Sequence, residues 1–345
     1  SGAEAGAAAP PYRLGGSVAA DEGQLRVQAR LERQSDGAVL WAENYRAVLG
    51  KEPPFAAEAR IAAEVATAVG QPYGAIYQAA AAERAVGPKR PGDAYACTLA
   101  YFTYRVTLDA SSYADARACL EAAVARFPDY ATAWALLGQM RLDGLRWGFA
   151  PTTPIDEALA DARHALMLDP LNVRALQVKM LAMHLGGDID GALRTGAVAL
   201  AVNPNDTELM GEYGYRLALA GRWEEGCDLL RRALARNPGP LPYYETGLAL
   251  CAYIAGDHAE AAARIKATPI QAIPVYHLMA AAFLAEAGDM EAAHRERDWI
   301  ERRAPNLTRT LIGQVTPLIR RKEDLARFVA SLRKAGLDLP GDGTP

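Results

Sequence analysis

The sequence predicts a mainly α-helical protein: a solenoid of about six stacked helix pairs with capping helices, preceded by a small α/β segment. Three observations favour this fold class. Helix stops recur at a fixed interval, small residues precede each stop at helical spacing, and strand-like alternation is confined to residues 12–46. The chain has 345 residues, of which 51% are hydrophobic, so it is long enough for two domains or one long repeat array.

Composition excludes two classes of function. The net charge of −4 provides no basic footprint, so we expect no direct binding of nucleic acid by this chain. We expect no membrane span either, because no run of about 18 uncharged apolar residues occurs. The opening SGAEAGAAAPPY lacks the layout of a signal peptide. We expect residues 1–11 to be disordered or left over from cloning, and the chain to be a piece of a longer protein.

Residues 12–86 form the first predicted segment. YRLGGSVA, QLRVQARLERQ and AVLWAENYRA alternate between apolar and polar residues, with turn signals at 21–23 and 35–37. A helix is expected at about 54–85, with a break at Gly70-Gln71-Pro72. Three strands and a helix make a marginal unit on their own.

The helix array is predicted from recurring stops. Pro170, Pro204 and Pro238 stand at intervals of 34 residues (170 to 204 and 204 to 238), and each follows Asp or Asn. Proline cannot continue a helix and pushes the preceding residue out of the α region. Alanines seven apart precede the stops, as at Ala158 and Ala165, and such small side chains let a neighbouring helix approach closely. Six pairs follow, at 94–128, 131–170, 172–204, 206–238, 241–269 and 274–305, with capping helices within 306–338.

Residues 134–138 read Trp-Ala-Leu-Leu-Gly and carry the W-x-x-L-G signature. With the period, the paired alanines and the terminal prolines, residues 94–305 resemble the tetratricopeptide repeat family. The second pair is eight residues longer than the period, and the surplus lies in Gly144–Pro154. That insertion is expected to expose Trp147 and Phe149, and it either plugs one end of a groove or lies over its own helix pair.

The N-terminal segment resembles the end of the TolB-like domain that precedes such repeats in some bacterial proteins. Gly16-Ser17-Val18, Arg26-Val27 with Ala29 and Leu31, and Asp36-Gly37-Ala38 with Leu40-Trp41-Ala42-Glu43 carry the resemblance. The first half of that domain has no counterpart here. The resemblance implies a membrane-anchored parent, such as a CadC-type winged-helix regulator or a class III adenylate cyclase. It implies a periplasmic location for this portion, with a cytoplasmic one as the alternative.

No catalytic, metal or cofactor site is expected. The chain lacks H-E-x-x-H, G-x-S-x-G, a phosphate-binding P-loop and a dinucleotide fingerprint. Cys97, Cys119, Cys227 and Cys251 all fall in helical patterns, so we expect them to be reduced, buried small side chains, although an even count also permits two disulfides. In particular, Cys97 and Cys119 are expected to lie too far apart to form a disulfide.

The first helices of the pairs should line a concave groove that takes a protein or peptide. Tyrosines and arginines suit such a surface because they present a large area with a polar tip. The predicted groove residues are Tyr101, Arg105, Gln139, Arg174, Gln177, Glu208, Glu212, Tyr215 and Tyr244. Alternatively, Tyr101 and Tyr244 pack between adjacent helices.

Three functions remain open at this point. The first is a non-enzymatic, peptide-binding module of a membrane-anchored signalling or transcription-regulatory protein. The second is a constitutive assembly scaffold for envelope or polysaccharide machinery. The third is a receptor for a small ligand, closed by the insertion at 144–154.

Overall fold

A computed structural model describes residues 10–339 except 22, 49, 87–92, 238–241, 269, 271 and 310–317. The chain divides into two compact units, residues 1–88 with 236–239, and residues 89–235 with 240–345. Pro238, most of the predicted disordered segment 1–11 and part of the predicted capping region 306–338 lie outside the described residues.

The first unit contains an antiparallel sheet of three strands in the order β1-β2-β3: β1 Tyr12–Asp21, β2 Gln24–Arg33 and β3 Val39–Val48. In the register, Leu14 stands opposite Leu31 and Val18 opposite Val27. The turn between β2 and β3 contains Gly37 at φ 72°, a conformation that glycine adopts without steric cost. The strands therefore follow the alternating segments of the sequence.

Two helices follow the sheet, α1 Pro54–Gly70 and α2 Ala75–Val86. Ala57 and Ile61 of α1 form a buried cluster with Ala47 of β3, and this cluster packs against side chains of β2. On the same face of the sheet, β1 is left uncovered: Leu14 is 52% exposed and Val18 is 68% exposed. The apolar layer of this unit thus stops short of its first strand.

The second unit is a solenoid of antiparallel helix pairs, as the sequence predicts. Its paired helices are α3 Ala94–Thr107, α4 Ala110–Arg126, α5 Ala131–Trp147, α6 Ile155–Leu168, α7 Val173–Leu185, α8 Ile189–Val202, α9 Thr207–Leu219, α10 Trp223–Ala235, α11 Pro242–Ala255, α12 His258–Ala267, α13 Pro274–Glu286 and α14 Met290–Arg303. A further helical stretch, α15, has described residues 305–309, and α16 spans Lys322–Lys334 and packs against α13. Among the described residues no helix is both long and apolar enough to cross a membrane.

Small residues bring the helices of a pair together. A Cβ atom added at Gly138 of α5 would lie 3.0 Å from the carbonyl oxygen of Ala158 in α6. At Gly214 of α9 it would lie 2.8 Å from the carbonyl oxygen of Gly226 in α10. Because both contacts are with backbone, which cannot move aside cheaply, a larger side chain would separate the helices. The glycine of the W-x-x-L-G pattern therefore has a packing role.

The expectation of four reduced cysteines is wrong. Cys97 of α3 is bonded to Cys119 of α4, and Cys227 of α10 is bonded to Cys251 of α11, with Cα–Cα distances of 5.3 and 5.9 Å. Cys97 and Cys119 are equally far along the chain from Leu108, in the turn between their helices (97 to 108 and 108 to 119). Residues equidistant from the turn of an antiparallel pair meet side by side, so the sequence separation of 22 permits the bond.

The insertion in the second pair also departs from the prediction. Helix α5 continues through Gly144 to Trp147 and ends at Gly148, which has φ 79°. Trp147 is consequently the last residue of a helix rather than part of an exposed loop, and it is half-buried. The irregular segment is limited to residues 148–154.

Candidate functional site

The residues predicted to line a groove lie inside the helix array. Seven of them are buried: Tyr101, Arg105, Gln139, Gln177, Glu208, Glu212 and Tyr244. Arg174 and Tyr215 are partly buried. The structure therefore brings the predicted residues together, but not as an open wall. They lie within or next to an interior polar cluster, formed by Arg105, Gln139, Asp143, Arg146, Glu208, Glu212 and Arg216. Binding of a partner to them stays a prediction.

Arg105 is the centre of this interior polar cluster. Its guanidinium group donates from Nε to Glu208 Oε1 at 2.9 Å, from Nη1 to Asp143 Oδ2 at 3.2 Å and from Nη2 to Glu212 Oε1 at 3.3 Å. Arg105 is 1% exposed, and the three carboxylates belong to the first helices of the second and fourth pairs. One side chain of α3 thus reaches across the inner side of the array and connects three helix pairs.

Two more arginines complete the charge balance around Glu212. Arg146 donates to Glu212 Oε1 at 3.3 Å and to Asp143 at 3.2 Å, and Arg216 donates to Glu212 Oε2 at 2.9 Å. Gln139 donates to Asp143 Oδ1, the oxygen that also accepts from Arg146, at 2.9 Å. Removing charges from water is costly, so such a cluster persists only when each charge is compensated by a partner within the cluster.

The remaining predicted groove residues surround this cluster. Arg174 of α7 binds both Gln177 and Asp206. The hydroxyl of Tyr244 donates to the carbonyl oxygen of Thr207 at 2.7 Å, and its ring occupies the space that a side chain at Gly211 would need. Tyr244 therefore packs between α9 and α11, as one of the two alternatives anticipates.

The two glutamates of α9 titrate in opposite directions. Burial would raise the pKa of Glu212, but Arg146, Arg216 and Arg105 outweigh it and lower that pKa to about 2. Burial raises the pKa of Glu208, and Arg105 and Arg174 offset that effect only in part. Glu212 is thus the firmly ionised anion of the interior polar cluster.

His184 of α7 is buried beside these charges. Burial, reinforced by Arg216 and Arg146, lowers the pKa of its imidazole to about 2, so the ring is neutral at physiological pH. Neither ring nitrogen has a hydrogen-bond partner among the described residues. The same holds for six other buried polar atoms around the interior polar cluster: Tyr101 OH, Gln139 Oε1, Trp147 Nε1, Glu208 Oε2, Arg216 Nε and Tyr243 OH.

The insertion lies over helix pairs and does not leave its aromatic rings in solvent. The ring of Phe149 lies 5.1 Å from that of Tyr113 and 6.4 Å from that of Tyr104. Trp147 stacks beneath the guanidinium group of Arg146, which is 4.3 Å from its ring centroid. The insertion therefore packs against the first pair, next to its own, and connects through Arg146 to the interior polar cluster.

Sequence reasoning missed Asp143, Arg146, His184 and Arg216. A signal was present: Asp143 and Arg146 follow Gln139 at steps of four and seven, and Arg216 follows Glu212 by four, so each shares a helix face with a predicted residue. The described residues contain no group of three or more His, Cys, Asp or Glu side chains arranged to hold a metal ion. The contacts that the structure shows within this cluster are ion pairs and hydrogen bonds.

No protein-family model and no curated protein matches the chain. Similar solved structures include PilW, described as a widely conserved type IV pilus biogenesis factor. It is 18% identical with a TM-score of 0.42, and the match covers 61% of this chain and 94% of PilW. PilF of Pseudomonas aeruginosa is 17% identical with a TM-score of 0.40, covering 61% and 91%. A tetratricopeptide repeat protein from Parabacteroides merdae ATCC 43184 is 17% identical with a TM-score of 0.38, covering 70% and 91%. Identities and TM-scores this low concern the helix-pair fold alone.

Proposed function

We propose that the helix array is a non-enzymatic protein-interaction module that works as a preformed scaffold. The observation that carries this proposal is the burial of Arg105 between Asp143, Glu208 and Glu212. A peptide entering along the inner wall would have to displace those ion pairs and leave buried charges uncompensated, which costs several kcal/mol. Partners therefore bind the outer surface of the array, and the interior polar cluster keeps the helix pairs in fixed positions.

The outer surface of the first three pairs carries apolar side chains that could contact a partner. They lie toward the C-terminal ends of the second helices and the turns that follow: Phe127, Met167, Leu168, Leu171 and Val198. Met167 is the most exposed of them, at 74%. A single exposed apolar residue is common on soluble proteins and would indicate nothing. The proposal is supported because such residues recur at similar positions in three consecutive helix pairs.

Site-specific photo-crosslinking in the source cells tests this proposal. A photoreactive amino acid at Met167 or Leu171 should give a discrete adduct with another protein. The same amino acid at Glu121 or Arg163, which are exposed but charged, provides the matched control. Equal labelling at all four positions, or no adduct at any, would count against an outer binding surface.

We further propose that the array works in an oxidising compartment, as the periplasmic part of a membrane-anchored signalling or regulatory protein. The two disulfides support the compartment, since cytosolic proteins rarely keep structural disulfides. The regulatory role rests on the N-terminal resemblance alone, and a constitutive assembly scaffold is its alternative. Deleting the array in the source cells distinguishes the two. Altered transcription with an intact envelope supports regulation, whereas an assembly defect with unchanged transcription supports a scaffold.

A small-ligand receptor is a second candidate, favoured by the buried polar atoms that lack a partner among the described residues. They include donors such as Trp147 Nε1 and acceptors such as Gln139 Oε1, a mixture that suits a small, polar, uncharged or zwitterionic compound. Native mass spectrometry of the purified protein tests this candidate. A retained compound that is lost in the Gln139→Leu variant supports it, and an unliganded mass in both proteins rejects it.

A further inference from the structure

Strand β1 is an edge without the usual protection against pairing. It has ten residues without proline, its two charged residues, Arg13 and Asp21, stand near its ends, and β2 is its single partner among the described strands. Natural edge strands are commonly kept short or blocked by charges, prolines, bulges or a covering element, because an open edge pairs with other strands. The shift of register in this sheet lies at Leu31 and Glu32, in the pairing of β2 with β3, so β1 runs regularly along its length.

The two edges of the sheet differ in how their apolar side chains are covered. Tyr45 and Ala47 of β3 pack with α1. Leu14 and Val18 of β1 point to that same face but extend beyond the helices into solvent. A strand that paired with β1 would extend the sheet at this open edge and continue its apolar face.

The sequence of β1 is complementary to itself in the antiparallel direction. When two copies pair about Ser17, Arg13 of each stands opposite Asp21 of the other, at both ends of the strand. Leu14 then stands opposite Ala20, and the uncovered faces of the two sheets lie on the same side. Within the described residues, neither Arg13 nor Asp21 takes part in an ion pair of its own chain.

We propose that β1 is a homodimer interface, at which two copies of this chain pair antiparallel and form one continuous six-stranded sheet. Opposite charges directly across an antiparallel pair stabilise it, and like charges destabilise it. The Arg13–Asp21 contacts consequently select this register. The apolar strip from Leu14 to Val18 contributes the buried surface on the covered side of the combined sheet.

Sedimentation velocity of the full chain over a range of concentrations tests the interface. The unaltered protein should shift from monomer to dimer as concentration rises, and Val18→Lys should remain monomeric. Val48→Lys, at an exposed valine of β3, introduces the same charge at the other edge and should dimerise like the unaltered protein. Circular dichroism of both variants verifies that the sheet is folded. The proposal is overturned if the unaltered protein is a monomer at all concentrations, or if Val18→Lys dimerises as strongly as the unaltered protein.

Charge exchange tests the register. Arg13→Asp and Asp21→Arg should each weaken the dimer at least tenfold, because each single change places like charges opposite one another. The double variant restores both contacts and should return the dimer to near its original affinity. A double variant as weak as the single ones would exclude the register centred on Ser17.

A cysteine placed on the twofold axis provides an independent readout. Ser17→Cys should form a symmetric intermolecular disulfide under mild oxidation, seen on a non-reducing gel. Ser35→Cys, exposed in the turn between β2 and β3, is the control and should cross-link far less. Equal cross-linking at both positions would indicate random collision and contradict pairing at β1.

Discussion

The helix array buries charged side chains, whereas the N-terminal sheet exposes apolar ones. Arg105 and Glu212 are almost completely removed from solvent, and each is compensated by partners from the same chain. Leu14 and Val18 lie on the core-facing side of a sheet, yet they are 52% and 68% exposed. The array therefore compensates its buried charges with its own residues. The exposed apolar side chains of β1, by contrast, would be buried only by a surface from another molecule.

The largest expected effect comes from removing the central cation of the array. Arg105→Met should lower the free energy of unfolding by about 3–5 kcal/mol, because Asp143, Glu208 and Glu212 would each lose a buried partner. Urea unfolding followed by circular dichroism measures this loss.

Arg117→Met is the control, since Arg117 pairs with Glu121 near the surface. It should change the free energy of unfolding by less than about 1 kcal/mol. Equal losses in the two variants would mean that solvent reaches the interior polar cluster, and the array would then be looser than the structure shows.

The second largest loss of stability is expected from removing a disulfide bond between consecutive helices. Replacing Cys97 and Cys119 by alanine should lower the free energy of unfolding by about 3 kcal/mol, because the unfolded chain gains conformational freedom. Urea unfolding with and without reductant measures it. Reductant should destabilise the unaltered protein further, since it also opens Cys227–Cys251.

Thiol titration of the denatured protein provides the control for the disulfides. Without reductant no free thiol should be detected, and after reduction all four should react. Four reactive thiols before reduction would restore the original expectation of reduced cysteines.

The contrast between the two regions also shows what the sequence could reveal. The helix pairs follow from local rules: prolines stop helices, and Gly138 and Gly214 mark close contacts between neighbouring helices. The interior polar cluster does not follow from local rules, because Arg105 and Glu212 are 107 positions apart in the chain and meet only once the helix pairs are stacked. A period reveals which residues share a face of a helix, but it does not reveal whether that face is open or filled. The pairing of Cys97 with Cys119 was within reach of the sequence, since both stand equally far from the turn at Leu108.

A smaller, pH-dependent effect should come from His184. The pKa of its imidazole is lowered from 6.5 to about 2 in the folded state. Between these two pH values the imidazole is therefore protonated in the unfolded chain and neutral in the folded chain. The stability contributed by the neutral ring is fully present above pH 6.5 and is lost as the pH falls towards 2. At pH 4.5 that loss is on the order of 2–3 kcal/mol.

His184→Leu should remove this part of the acid sensitivity. The variant should have nearly unchanged stability at pH 7, because neither ring nitrogen has a hydrogen-bond partner among the described residues. Thermal unfolding at pH 7 and pH 4.5 measures the difference, and His294→Leu, on the half-buried face of α14, is the control. A parallel acid response in the unaltered protein and His184→Leu would show that the ring is not kept neutral.

The smallest effect on stability is expected at the exposed strip of the sheet. Val18→Ser should change the free energy of unfolding of the monomer by less than about 0.5 kcal/mol, because the side chain is already mostly in water. Leu31→Ala, a fully buried neighbour on β2, should cost about 2–5 kcal/mol by leaving a cavity. Measured in dilute protein, a large loss for Val18→Ser would mean that β1 is covered within its own chain. The inference that β1 is an uncovered edge strand would then be wrong, and so would the contrast between a self-contained array and an incomplete sheet.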